Sequence, residues 1–376
     1  MRILALEPYY GGSHRAFLDG WSGGSRHEFT ALTLPPHHWK WRMRHGALTL
    51  AQEAARRAAA GDAWDLVWCS SMLSLAEWKG LAPAHLASLP SAVYFHENQL
   101  TYPVRQEDAR DFHFAFSHLT TCLAADGVWW NSAFHRDEMT EALIALMGRM
   151  PTHRPVAEAR SILQKSRVLP PGVAPSPPRP PRRPGPLRLV WAARWEHDKD
   201  PDTFFGAVLE LDRRGVDFRL DVLGESFRRT PEVFDRARGI LGAKIGRWGF
   251  LPHRTDYLEA LLEADVFVST ARHEFFGIAA VEAMGAGCRP LLPERLAYPE
   301  LLRDVPPELR RDLLYSGGAA VLADRLQALA GHLDRSGSVW PGPVDVVQRA
   351  VAPFTWPAAL KRLDDAADAV CDRAPV

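Results

Sequence analysis

The chain has 376 residues, enough for two domains of ordinary size. Its 47% hydrophobic and 24% charged residues are a globular composition, and 45 basic against 45 acidic residues leave no formal charge. Bulk electrostatic capture of a nucleic acid is thereby excluded, so any such partner must be met by a local patch.

Cys69, Cys122, Cys288 and Cys371 show no CxxC spacing and read as reduced, mostly buried thiols. No run approaches the ~18 apolar residues of a membrane span. Met1 to Leu6 is followed at once by Glu7 and Pro8 rather than by a signal-peptide core. A soluble, cytoplasmic protein with no membrane partner is expected.

Residues 2–6 predict a first strand. The loop after it carries Gly11 and Gly12, a pair that lets backbone approach a ligand closely, or that simply makes a tight turn. There is no GxGxxG fingerprint. Ser13 is placed to cap a helix running to about Trp21. Alternation predicts strands at 27–34, 64–69, 92–95 and 127–130, separated by helical spacing as at 48–60 and 112–125. Such a βαβ series implies a mostly parallel sheet with helices on both faces.

Within that series lies His37-His38-Trp39-Lys40-Trp41-Arg42-Met43-Arg44-His45. Cations interleaved with indoles suit a nucleic-acid or polar-aromatic ligand: Lys40, Arg42 and Arg44 would meet phosphate while Trp39 and Trp41 stack on bases. A solvated helix start with two half-buried indoles is the alternative. His96 follows the strand at 92–95, with Asn98 two residues on. That pair reads as a sugar or acceptor contact, or as hydrogen-bonded structural residues. Asn131-Ser132 is explained by a helix cap.

Residues 169–186, LPPGVAPSPPRPPRRPGP, are half proline and can be neither helix nor central strand. They predict a stiff linker between a first domain, 1–168, and a second domain, 187–352. Arg179, Arg182 and Arg183 would be solvated there or touch RNA. The second half opens with a buried strand at 187–193, followed by Arg194-x4-Lys199. An arginine fork and a lysine point charge at a strand's carboxyl edge match a diphosphate. Strands at 219–223 and 244–248 complete a second doubly wound sheet, and the glycines at their ends, Gly224 and Gly249, are where a base and ribose would lie.

Residues 264–270 then predict a buried strand and 277–286 a short helix with small residues on its packed face. Strand, loop and helix N-terminus present free N–H groups to an anion. Glu274 sits in the loop and Glu282 two turns into the helix, roughly 80° apart about its axis, so both could face one cleft. Carboxylates that accept from hydroxyls, beside N–H groups that take phosphate, suit a sugar nucleotide; solvated surface glutamates are the alternative. Glu300 recurs near the same edge. Phe354-Thr355-Trp356 opens a last amphipathic helix to about Cys371.

The stretch HEFFGIAAVEAMGAG, with its Glu-x7-Glu, resembles the donor-site signature of the retaining glycosyltransferases of family 4, which have the GT-B fold. That resemblance implies an α/β protein of two Rossmann-like doubly wound domains facing a cleft, with a C-terminal helix, 353–376, crossing back to the first domain. It implies Glu274 on donor-sugar hydroxyls, Glu282 on the ribose, and Phe275, Phe276, Gly277 and Ile278 beside the donor. It also implies Arg194 and Lys199 on the diphosphate and the Gly11-Gly12 loop facing donor phosphate and acceptor. The blocks EPYYGGSHRAFLDGW, LPPHHWKWRMRHGAL, YFHENQLTYPV with RDFHFAF, and WWNSAFHRDEM resemble the amino-terminal domain of the tRNA-queuosine alpha-mannosyltransferase family. They imply GDP-mannose as donor and the cyclopentene-diol of queuosine in a tRNA anticodon as acceptor.

No DxD-type pair follows a strand in the second half, so Arg194, Lys199 and the helix start at Gly277 are expected to neutralise the diphosphate with no metal and no cofactor. The expected catalytic set is Glu274, Arg194, Lys199 and His96, with front-face attack in place of a carboxylate nucleophile. Two alternatives remain open. One keeps the donor site but uses another nucleotide sugar and a lipid or small-glycoside acceptor. The other is a non-catalytic RNA-binding scaffold, which would not need the donor constellation.

Overall fold

The computed structural model describes residues 1–103, 111–226 and 230–372; Val104 and Arg110 of the first-half motifs, and residues 373–376, lie outside the described residues. The chain divides into two units, one of Met1–Gly172 with the chain from Trp356 onward, the other of Val173–Thr355.

The first unit is built on β1 (Arg2–Glu7), β2 (Glu28–Thr33), β3 (Leu66–Ser70), β4 (Ser91–Phe95), β5 (Gly127–Trp130) and β6 (Ser166–Val168). All pair in parallel, in the order β2-β1-β3-β4-β5-β6. The strand period of two divides their apolar residues between the faces. Ile3, Ala5, Trp68, Tyr94 and Trp129 cluster with the helices Gly12–Gly24 and Trp356–Cys371. Leu4, Leu6, Val67, Cys69, Val93 and Phe95 cluster with the helices Trp39–Ala59 and Phe112–Ala124. Covering both faces is what lets such strands be apolar almost throughout. Each fully buried Val, Leu or Phe contributes roughly 1.5–3 kcal/mol relative to its exposed state.

The last helix returns to the first unit as expected, starting at Trp356. Its buried Asp364 accepts from Trp21 Nε1 at 2.8 Å, Ser25 Oγ at 2.6 Å and the Arg26 N–H at 3.0 Å. The Trp356 ring lies so close to Gly20 and Gly172 that a Cβ at either would come to 2.0 or 2.3 Å from it.

The second unit holds β7 (Leu187–Ala192), β8 (Phe218–Leu223), β9 (Ile245–Gly249), β10 (Val266–Val268), β11 (Arg289–Pro293) and β12 (Leu314–Tyr315). Their order is β12-β11-β10-β7-β8-β9, again all parallel. Strand order reverses between β7 and β10 here, and between β1 and β3 in the first sheet. Such switch points open crevices at the strands' carboxyl ends.

Three expectations change. The division between the units falls after Gly172, and the proline-rich stretch beyond it is docked on the second unit rather than spanning solvent. The Val173 N–H donates to the Phe354 carbonyl at 2.8 Å, Arg179 Nη1 to the Ala286 carbonyl at 3.0 Å, and Arg182 grips the buried Asp265 at 2.8 and 2.9 Å. Prolines remove backbone donors, so arginine side chains supply the polar contacts, and Arg179 and Arg182 are committed to the fold rather than to RNA. Ser13 is not a cap: Gly11 occupies that position with no side-chain bond, and Ser13 lies inside the helix. Three cysteines are buried and Cys371 is half-buried, with none in a disulfide. Among the described residues no helix is long and apolar enough to cross a membrane.

Candidate active site

The second unit's switch point carries the residues that the sequence expects on the donor side. After β10 the chain turns through Gly277, at φ 96, into the helix Ile278–Gly285. That backbone region favours glycine, and a Cβ there would also press on the Tyr298 ring at 3.1 Å. Tyr298 in turn holds Ser269, hydroxyl to hydroxyl at 2.7 Å, while Tyr315 Oη donates to the Ser269 carbonyl at 2.8 Å. The loop bearing Glu274 is therefore braced from below before any ligand arrives.

Lys199 reaches this loop from the short helix His197–Lys199 that follows β7. Its Nζ donates to the His273 carbonyl at 2.8 Å and to Glu274 Oε2 at 3.3 Å, and lies 3.2 Å from Asp198 Oδ2. The next residue, Asp200, accepts from Thr203 Oγ1 at 2.8 Å at the start of the helix Pro201–Arg213 and from Arg272 Nη2 at 3.0 Å. Lys199 is thus clamped from both sides. It lines, with Glu274, Gly277, Ala279 and the ends of β7 and β10, a small recess. The first turn of the helix Ile278–Gly285 faces this recess, so unpaired N–H groups and an ammonium converge on it. Small side chains at 279 and 280 leave the backbone approachable.

His273, missed as a site residue, is 5% exposed. Burial, then the Lys199 charge, push its pKa down to about 4, so its ring is neutral near pH 7 and does not oppose Lys199. Arg194 stands between β7 and the short helix His197–Lys199, with a half-exposed side chain 3.1 Å from Glu196. The Phe275 and Phe276 side chains are buried, edge-on to His273 and Phe354 respectively. These two are packing residues whose offer to a ligand is backbone, and Ile278 opens the helix half-buried. Glu282 does not line the recess; it takes Arg254 Nη2 at 2.6 Å and also bonds Tyr257. Helix geometry alone could not foresee Arg254, which comes from the helix Arg254–Glu263.

In the first unit, Gly11 is required by packing, since a Cβ would meet Pro36 at 2.4 Å, whereas Gly12, at φ 52, faces open space. His96 stands after β4, its ring 4.1 Å from that of His14 and its Nε2 buried without a partner. His14 Nδ1 meets Glu7 Oε2 at 3.1 Å. Glu7 and His14 lie in the quoted first-half motif yet carried no separate signal. Asn98 is fully buried and its amide is consumed by its own loop: Oδ1 accepts from the Leu100 and Thr101 N–H groups at 3.0 and 2.8 Å, and Nδ2 donates to Thr101 Oγ1 at 3.0 Å. Asn98 therefore shapes the loop rather than reaching out of it.

The Trp39–Arg44 cluster forms the first turns of the helix Trp39–Ala59, and it splits in two. Trp39 packs 5.2 Å from the Phe114 ring, and Arg44 joins Asp111 at 3.1 Å. Arg42 donates to the Pro35 carbonyl at 3.1 Å and lies 2.9 Å from His45 Nε2. Lys40 and Trp41 are turned to solvent, Trp41 being 62% exposed.

Two doubly wound parallel sheets, with a recess at the second one's switch point where a fixed lysine meets a helix N-terminus, define a GT-B glycosyltransferase. Solved structures share the architecture over nearly the whole chain. Anabaena HepE in complex with UDP matches at TM-score 0.68 and 14% identity, covering 98% of this chain and 100% of that one. Sucrose-phosphate synthase from Thermosynechococcus elongatus matches at TM-score 0.67 and 16% identity, covering 97% and 98%. Residues 176–305 match the family described as glycosyl transferases group 1, and residues 2–173 match that of the tRNA-queuosine alpha-mannosyltransferase N-terminal domain. The tRNA-queuosine alpha-mannosyltransferase of Drosophila melanogaster is 38% identical over 311 residues, 80% of this chain and 81% of that protein. The GDP-mannose:cellobiosyl-diphosphopolyprenol alpha-mannosyltransferase of Xanthomonas oryzae is 30% identical over 156 residues, 39% of this chain and 38% of its own. The chain belongs to the tRNA-queuosine alpha-mannosyltransferase family.

Proposed function

We propose that this glycosyltransferase transfers mannose from GDP-mannose, with retention, to queuosine in a tRNA anticodon. The observation that carries the chemistry is Lys199, clamped against Glu274 and the His273 carbonyl at the first turn of the helix Ile278–Gly285. In this reading the donor diphosphate lies against Lys199, Arg194 and the helix N–H groups. As the bond from the sugar's anomeric carbon to the phosphate oxygen lengthens, negative charge grows where cations are already fixed, so little reorganisation is needed. Glu274 accepts from sugar hydroxyls and sets the ring's angle. The acceptor oxygen bonds the anomeric carbon on the face the phosphate leaves, and its proton passes to the departing phosphate oxygen.

Glu282, braced by Arg254 and Tyr257, is the proposed ribose contact, and His96 Nε2 a contact for a ligand hydroxyl. Two cations and a helix N-terminus oppose the diphosphate, so no metal or cofactor enters the scheme. Lys40 and Trp41 are the proposed RNA contacts, and a tRNA acceptor places the enzyme in the cytoplasm, away from membranes. The test is release of GDP from GDP-mannose with tRNA that contains queuosine and with tRNA that lacks it. Release only with the former is expected. Release that ignores queuosine, or that needs a polyprenyl-linked sugar, refutes the acceptor.

A further inference from the structure

Three strand ends meet at the switch point of the first sheet. Glu7 ends β1, Ser70 ends β3 and His96 follows β4, while His14 reaches them from the helix Gly12–Gly24. Glu7 is fully buried, and its carboxylate accepts from the Tyr9 N–H at 2.8 Å, Ser70 Oγ at 2.9 Å and His14 Nδ1 at 3.1 Å. A carboxylate so far from water needs a counter-charge as well as donors, and His14 is the side chain in place to supply one. The His14 ring lies against that of His96, centroids 4.1 Å apart and planes 37° apart. His96 Nε2 is buried and has no partner, although a polar atom in that state is ordinarily satisfied.

We propose that Glu7 and His14 are positioning residues: a fixed ion pair laid against His96 that keeps its imidazole neutral, with Nε2 held for a hydroxyl of the ligand. Only the identity of that ligand, a sugar or cyclitol diol, rests on the function proposed above. The protonation balance agrees with the geometry. Burial opposes a charge on His14, but the charge and hydrogen bond of Glu7, helped by Glu97, outweigh it and raise its pKa. Burial first, then the His14 and His135 charges, hold His96 well below the ordinary histidine range. The other titratable groups facing the pair are Tyr94, 4.6 Å from the His96 ring, and Tyr9, 5.9 Å from the His14 ring. Burial raises the Tyr94 pKa, so that phenol adds no charge.

The cluster suits a proton better than a metal ion. Two imidazoles on one tetrahedral ion hold their ring centres about 5 Å apart, wider than the 4.1 Å found, and the Glu7 oxygens already serve three donors.

The test is a pH titration of the intact protein with ¹³C-labelled histidine, with the His96 signal assigned by its loss in His96→Gln. In the wild type the His14 midpoint should lie above the ordinary value, and the His96 signal should stay fixed from about pH 8 to about pH 5. In His14→Gln the His96 midpoint should rise, because one of its two positive neighbours is gone while its burial stays. In Glu7→Gln, His14 should lose its proton at lower pH. The acid limb of kcat/KM should move up with the His96 midpoint in His14→Gln, whereas a merely structural defect lowers activity equally at every pH. Adding GDP-mannose or queuosine-containing tRNA separately shows which ligand carries the hydroxyl, by which one shifts the His96 signal. A wild-type His96 that titrates in the ordinary range, stoichiometric zinc lost on His96→Gln, or a signal that neither ligand moves each overturns the proposal. The histidine titrations need no substrate, so they test the ion pair and the neutral His96 independently of the mannosyl-transfer reading, which the ligand-shift and kcat/KM arms share.

Discussion

Replacing Lys199 by methionine isolates what a fixed ammonium contributes to the donor site. Methionine keeps most of the stem's packing, which matters because the lysine side chain is only 11% exposed, but deletes all three polar contacts. A hydrogen bond to a charged group contributes roughly 1.5–3 kcal/mol. If that energy is realised as charge builds on the leaving diphosphate, kcat/KM should fall about 10- to 150-fold, at ~1.4 kcal/mol per decade. Part of any loss could come from Glu274 and Asp198 losing their shared cation, so the assay pairs turnover on queuosine-containing tRNA with GDP affinity and a melting curve. Both kcat/KM and GDP affinity should drop while melting shifts by a few degrees. Lys199→Arg should not restore activity, since a planar fork cannot replace a point charge seated on one carbonyl. Arg194→Ala should cost less, because its side chain is half exposed and already paired with Glu196. Full activity in Lys199→Met would refute the electrostatic account of the site.

Three further outcomes follow from the same geometry. Asp364→Ala strips the acceptor from the Trp21, Ser25 and Arg26 donors. It should lower stability in urea by about 3 kcal/mol; a loss under about 1 kcal/mol would mean the last helix is held by packing alone. Lys40→Ala with Trp41→Ala should weaken tRNA binding and flatten its log–log salt slope by about 0.7–0.9 for the one lost phosphate contact, with GDP affinity unchanged. Arg42 and Arg44 are the wrong pair for that experiment, because they hold the helix start through Pro35, His45 and Asp111. Chelation with EDTA should leave the rate within about twofold, since hard divalent ions want free carboxylate oxygens beside phosphate and the two nearest, of Glu274 and Asp198, are held by Lys199; abolition reversed by magnesium or manganese would require a metal in the mechanism.

What was legible in the sequence was whatever is encoded locally. Lys199 and Glu274 announce themselves because each follows an apolar strand within a few residues, and a strand-loop-helix run fixes where its loop lies. Ser132 as a cap was readable for the same reason, and its hydroxyl accepts from the His135 N–H at 2.9 Å. Contacts between distant stretches were not. Nothing near Glu282 indicates that Arg254 will take its carboxylate. Proline content says that 169–186 cannot pair as a strand, but not that Arg182 will find Asp265, 83 residues on. Glu7, His14 and His96 meet because β1, β3 and β4 are neighbours in the sheet, an order that alternation along each strand does not contain. Phe275 and Phe276 were assigned to the donor from their place in the motif, while burial assigned their rings to the core.

The most direct measurement is mass spectrometry of nucleosides from queuosine-containing tRNA incubated with the enzyme and GDP-mannose. The account expects queuosine to gain one mannose, in the alpha configuration, with wild type, and the gain to be nearly lost with Lys199→Met. Queuosine recovered unchanged while GDP-mannose is consumed on another acceptor would contradict it.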